Sequence, residues 1–390
     1  MTVSATYDST LSRVQVTATG ITSALTATFE RSTNGVTWTT VRGGSEVTVT
    51  SNTAMVDDYE FVPDVINTYR VSYRTAFSYV GAGTADTDNN ASVTPTVPAG
   101  TTSGDVLLIF AGIRNFGAGT VNVPSGWQTI LDMGGNVKLL GKIAGSSEST
   151  PTVTFSGGVA GADTAARMIA LRGVDFGSAV SAGDTEAATG TNIDTPILEL
   201  AEEWRGGEVI YMGWKSDDWA SAAMGTGTEI GEMISTLGSD MAMVWNHREI
   251  AESVVFDEIG AQTFTITGGT TASQMGGVAA FQAKTTTQTG TITPTLTDVW
   301  LKFIARPFLN TAVDAFGEVN ITRPARNAVF PVVGRSAPVG VTDVRAGRQF
   351  DLAIKTLDAE THSRLDFALA GGDPVFIHAP ADSPVPSMYA

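Results

Sequence analysis

One passage of this chain is written twice, and that repetition limits the fold more than any other feature. Residues 104–115 open Gly104-Asp105-Val106-Leu107-Leu108-Ile109-Phe110. About a hundred residues later, 207–217 open Gly207-Glu208-Val209-Ile210-Tyr211-Met212-Gly213-Trp214. Each is followed by a matching series. Trp127-Gln128-Thr129-Ile130 parallels Thr228-Glu229-Ile230, and the runs starting at Val137 and Met241 parallel each other. Thr152-Val153-Thr154-Phe155-Ser156-Gly157-Gly158 parallels Thr263-Phe264-Thr265-Ile266-Thr267-Gly268-Gly269. Both series end on a small-residue apolar run, at 165–174 and 276–283. One supersecondary unit used twice predicts a modular fold rather than a single catalytic pocket. The apolar runs 106–110 and 209–212 are continuous, which predicts strands covered on both faces or set in a sandwich core.

The rest of the chain reads as strands too. Between 3 and 75 apolar residues alternate with period two, as in Val14, Val16, Ala18 and in Tyr69, Val71, Tyr73, with turn signals at Asn34-Gly35 and Gly43-Gly44. Trp38 is expected in the core of this sandwich, as is Tyr69. With 42 glycines and only 16% charged residues among 390, the chain is β-rich and turn-rich. The fold class is therefore all-β and multi-domain. The expected division is 1–80 as a first sandwich, 81–91 as a linker, 92–190 and 191–284 as two jelly-roll-like repeats, and 285–390 as a C-terminal module. Thr94-Pro95-Thr96 and Thr293-Pro294-Thr295 flank the repeats as an insertion into a loop would leave them, so 92–284 can also be read as one inserted domain. In the last module strands lead to one helix over 357–370, capped by Thr356, closed by Gly371-Gly372, and turned inward through Leu357, Leu365 and Leu369.

Composition excludes several functions. No cysteine is present, so neither disulfides nor thiolate metal sites can form. The net charge of −17 disfavours nucleic-acid binding. No apolar run is long enough for a spanning helix, and the N-terminus lacks a signal-peptide pattern. The histidines are His247, His362 and His378, and none has a partner at zinc spacing. His247-Arg248-Glu249 echoes a deaminase His-x-Glu, but that chemistry needs two cysteines. No nucleophile elbow or phosphate loop occurs. The expectation is a protein without enzymatic activity, metal or cofactor.

One loop stands out as a candidate ligand site. In Trp214-Lys215-Ser216-Asp217-Asp218-Trp219 two indoles flank two carboxylates directly after an apolar strand. Aromatic faces stack on sugars, and Asp accepts sugar hydroxyls or holds calcium. Trp214, Asp217, Asp218 and Trp219 are thus candidate glycan contacts. The alternative is that Trp214 is core and the Asp pair solvates a turn.

Two family resemblances complete the reading. The segments Phe29-Glu30-Arg31-Ser32-Thr33-Asn34-Gly35-Val36-Thr37-Trp38 and Asn67-Thr68-Tyr69-Arg70-Val71-Ser72-Tyr73 resemble fibronectin type III domains. Trp300-Leu301-Lys302, Arg306-Pro307-Phe308-Leu309-Asn310, Arg323-Pro324-Ala325-Arg326, Val333-Gly334-Arg335-Ser336-Ala337-Pro338, Leu365–Val375 and Pro386-Ser387-Met388-Tyr389 together resemble minor tail proteins of phages that infect actinobacteria. The repeats also resemble modules of tail fibres. The resemblance implies a virion component with other tail proteins as partners, assembled as a trimer or hexamer, and with a host-surface glycan as a further partner. Arg306, Arg323, Arg326, Arg335, Arg345 and Arg348 are then candidate subunit contacts, since a guanidinium fork pairs with a neighbour's carboxylates. The alternative function is a carbohydrate-binding adhesin acting through the repeats.

Overall fold

The computed structural model describes the chain except residues 23, 90–91, 115–116, 159–160, 238–239, 317–326, 331–338, 343–351, 357 and 390; at 316, 327–330 and 339–342 it describes the backbone alone. The fold is all-β, with one α-helix among the described residues. It divides into two compact units. The first comprises Met1–Gly20, Ala27–Val71 and Thr287–Ala390, and the second comprises Ile21–Thr26 and Ser72–Thr286.

The first unit begins as a sandwich. Thr2–Asp8, Arg13–Thr19 and Thr53–Asp58 form one sheet. The other sheet runs Thr285–Ile292, Asn67–Arg74, Thr26–Ser32, Thr39–Thr40, with Val47–Thr48 also paired to Thr26–Ser32. The alternation predicts which side chains turn inward: Val14, Val16, Ala18, Phe29, Tyr69 and Val71 are all fully buried. Trp38 differs from its expected place. It is half-buried, with the Arg70 guanidinium 4.3 Å above its ring. The last strand of this sandwich, Thr285–Ile292, is separated in sequence from its neighbour Asn67–Arg74 by nearly all of the second unit, Ile21–Thr26 apart. The inserted stretch therefore runs from Ser72 to Thr286, about twenty residues earlier than Thr94-Pro95-Thr96 suggested.

The C-terminal part of the first unit is a five-stranded sheet in the order Ala353–Lys355, Thr311–Phe316, Val299–Phe303, Val375–His378, Met388–Tyr389. The helix Ala359–Ala370 packs on it through Leu365 and Ala368. Its cap is Asp358, which accepts a hydrogen bond from the Thr361 amide at 2.7 Å, rather than Thr356. Leu369, expected on the inward face, is 47% exposed, and Leu357 lies outside the described residues. Packing one turn of Leu365 and Ala368 against a twisted sheet leaves the next position at the rim.

The second unit holds both repeats, with the same strand order in each. The first large sheet runs Gln128–Met133, Val137–Ile143, Val106–Ile113, Asp163–Arg172, Ser78–Ala82, with Asp86–Asn89 paired beside it. The second runs Thr228–Ser235, Met241–Ile259, Leu198–Lys215, Ala272–Gln282, Val180–Gly183, with Ala188–Gly190 in the place of Asp86–Asn89. Residues 81–91, read as a linker, thus supply the opening strands of the first repeat, apart from 90–91, which are not described. Residues 180–190 likewise open the second repeat rather than closing the first. Both openings are short, polar and glycine-bearing, which hides their pairing from sequence.

Each large sheet carries a smaller one. Gly119–Val121 pairs with Phe155–Gly157, and Ile193–Asp194, Thr263–Thr267 and Ser221–Met224 form the counterpart. Leu107, Ile109, Val121, Trp127 and Val153 fill the first small-sheet interface, and Val209, Tyr211, Trp219, Ala222 and Phe264 the second. The two large sheets also share a core, built from Leu108, Phe110, Leu139 and Ile169 on one side and Ile210, Met212, Trp214, Trp245 and Ala279 on the other. Both faces of the central strands are therefore buried, which is why their sequences are continuous apolar runs. The pairing corrects the alignment of the repeats by one residue. Leu108 sits opposite Ile169 and Gly141, and Ile210 sits opposite Ala279 and His247, so Leu108 matches Ile210 and not Tyr211. A one-residue slip in a strand exchanges its two faces, and the shared Gly-acid start is a coincidence of composition.

Candidate functional site

The predicted glycan loop follows the central strand of the second repeat. Its two indoles are not available to a ligand. Trp214 is fully buried between the large sheets, and Trp219 is buried under the small sheet with its Nε1 donating to the Glu232 carboxylate. The other Glu232 oxygen accepts from the Ala222 amide at 3.0 Å, so this acid fixes the loop from below. Neither Trp can stack on a sugar ring. The alternation of the preceding strand carries Trp214 inward to the shared core, and a polar turn then returns Trp219 to the small-sheet core.

The carboxylates remain accessible. Asp217 Oδ2 accepts from the Thr270 amide at 2.9 Å and also from the Thr270 hydroxyl. Partial burial pulls the Asp217 carboxyl upward, but these Thr270 bonds outweigh it and hold it below the usual carboxylate range. Lys215, fully buried just before it, has its ammonium pushed down by burial, with Asp217 opposing the shift. Asp217, Asp218 and Asp240 bring carboxylate oxygens within 4.8 Å of one another, all three half-buried. Oxygen donors at this separation are the chemistry of hard cations such as calcium. Sequence reading had two of the three. Asp240 comes from the hairpin between Thr228–Ser235 and Met241–Ile259, whose counterpart between Met133 and Val137 is only Gly134-Gly135-Asn136. That difference in hairpin length was the signal available for it.

A second polar site was not anticipated. His247 Nδ1 lies 2.6 Å from Glu208 Oε1, and Tyr79 stacks on the imidazole with centroids 4.2 Å apart. Glu208 is 1% exposed and its Oε2 has no partner. Burial pushes its carboxyl up, and His247 opposes the shift. In the first repeat the same two positions are Val106 and Gly141, with Phe176 filling the space over Gly141. Glu208 is invisible in sequence because it reads as part of a Gly-acid turn before the strand.

Of the arginines expected at subunit contacts, Arg306 is committed inside its own module. It pairs with Asp373 at 2.6 Å and donates to the Ala368 carbonyl at 3.3 Å, which ties the strand end to the helix end. Arg323, Arg326, Arg335, Arg345 and Arg348 lie outside the described residues. Among the described residues no helix is long and apolar enough to cross a membrane. No protein-family model, curated protein or solved structure matches the chain.

Proposed function

We propose that this chain is a structural component of a phage tail, a minor tail or tail-tip protein, that works by holding neighbours rather than by chemistry. The observation that carries the reading is the insertion. A complete double sandwich interrupts a smaller one between two adjacent strands, Asn67–Arg74 and Thr285–Ile292. An inserted domain entered and left at one place can change without disturbing its host, which suits a protein that docks through one part and presents another. The resemblance of the C-terminal module to minor tail proteins assigns docking to the first unit. The second unit is then the part presented to the host surface. Other tail proteins and further copies of the chain are the partners, in a trimer or hexamer, and the virion is the location.

Immunogold labelling of purified particles tests this reading. Label at the tail is the expected result, and particles that lack the protein altogether overturn it. A glycan adhesin is the weaker reading, because burial of Trp214 and Trp219 removes its stacking surfaces. What favours it is the convergence of Asp217, Asp218 and Asp240. A glycan array on the full chain separates the two, since only the adhesin reading requires a sugar signal.

A further inference from the structure

Inside the first unit, a lysine from the C-terminal sheet is buried against the N-terminal sandwich. Lys302 is fully buried on Val299–Phe303. Its Nζ lies 2.6 Å from the Ser12 carbonyl and 2.7 Å from the Tyr59 carbonyl, both of the sandwich. The third contact is His378 Nδ1 at 2.7 Å, from the neighbouring strand Val375–His378. Phe61 closes the site, with its ring centroid 4.8 Å from Nζ and 4.5 Å from the imidazole. Tyr389 makes a second tie between the same parts, accepting from Arg42 Nη2 at 2.9 Å and donating to Glu60.

Proton counting makes this cluster unusual. An ammonium has three donors, and three acceptors surround it. His378 Nδ1 must then be bare, which puts its proton on Nε2, a buried nitrogen without a well-formed hydrogen bond; the Phe61 backbone favours charge on the ring, but burial and Lys302 outweigh it. If Nζ gives up a proton, the imidazole can change tautomer and donate from Nδ1 to the amine. Every short contact survives, and the orphaned N–H disappears. A second proton has no such accommodation, because it sets an imidazolium against an ammonium 2.7 Å away.

The surrounding charges do not remove the conflict. Asp58, the last residue of Thr53–Asp58, and Glu60 just beyond it favour the ammonium. Asp58 is itself paired with Arg31 of Thr26–Ser32 at 2.6 Å and with the Tyr69 hydroxyl at 2.7 Å. Arg31 disfavours charge on His378. Two tyrosines also border the site: the Tyr59 ring centroid lies 5.9 Å from Nζ, and Tyr7 touches the Phe61 ring.

We propose that Lys302 and His378 form a proton-operated latch: the C-terminal module stays seated on the sandwich while the pair holds at most one proton, and acid unseats it. Burial pushes Lys302 down to about 7, and burial with the adjacent Lys302 pushes His378 down to about 2. Both groups bind protons more tightly when unseated, near their ordinary values of 10.5 and 6.5. The sign follows. A depressed basic group opposes the seated state wherever only the unseated state is protonated. Seating therefore strengthens as pH rises, through His378 between 2 and 6.5 and through Lys302 between 7 and 10.5.

Hydrogen exchange of the full chain, corrected for intrinsic rates, reads this directly at strands Val299–Phe303 and Val375–His378. The opening constant of the wild type should rise about tenfold per pH unit from pH 6 to 4 and fall about tenfold per unit from pH 7.5 to 9.5. Lys302→Met keeps the volume and should abolish the alkaline arm. His378→Phe should abolish the acid arm at these strands. A wild-type profile flat over pH 4–9.5 overturns the latch whether or not either variant folds, as do variants that keep both arms.

Discussion

The two repeats share one strand order and one pattern of pairing, yet they treat the same positions in opposite ways. Gly112 and Trp214 are equivalent residues, and they meet across the shared core. A Cβ on Gly112 would lie 3.4 Å from the Trp214 ring and 2.8 Å from Met243 Sδ. Leu131 of the first repeat nests on Gly277, while its equivalent, Gly231, gives way to the Arg167 guanidinium. Each sheet is large where the other is small. Two identical sheets could not pack this closely, so the duplication holds because the copies have diverged.

Trp214→Ala should break that complementarity most. It should cost about 3–5 kcal/mol of stability by denaturant unfolding, because no side chain on the Gly112 side can fill the space. The Glu208–His247 dyad sharpens the comparison next. The first repeat fills its place with Val106 and Gly141, so folding does not require a polar pair there. His247→Leu alone should cost about 3 kcal/mol by stranding Glu208. The double change Glu208→Val with His247→Leu should return to within about 1 kcal/mol of wild type. A double variant as unstable as the single one would show that the dyad is structural.

The smallest expected effect belongs to the first repeat alone. Asp105 accepts from Arg172 at 2.8 and 2.9 Å, where the second repeat has Gly207 and Gln282. Burial raises the Asp105 carboxyl, but bonds from Arg172 and Thr102 outweigh it and leave it lowered. A lowered carboxyl stabilises above its unfolded value of 3.8 and loses that contribution as pH falls through its folded value. Asp105→Asn should therefore cost about 1–2 kcal/mol at pH 7 and progressively less below pH 4. The checking measurement is thermal unfolding at both pH values.

The sequence made the duplication and the β class readable because continuous apolar runs at fixed order have few other solutions. It placed Leu108 and Ile210 on buried strands but misaligned them, since a run apolar on both faces carries no period to set its phase. Trp214 and Trp219 drew attention as possible ligand contacts, and only strand direction could tell that both point inward. Lys302 and His378 were beyond reach, being a charged residue in an apolar run and a histidine near a strand end, brought together by pairing between distant segments. Asp240 needed the two hairpins to be compared in length.

The site of insertion also determines how a pulling force would pass through the molecule. Asn67–Arg74 and Thr285–Ile292 are hydrogen-bonded neighbours, so tension applied between the N-terminal strands and the C-terminal sheet is borne by the first unit. The long excursion between those strands carries none of the load until they part. Stretching the protein in an optical trap should accordingly give one early rupture at that seam, followed by the later yielding of a second body that had until then been slack.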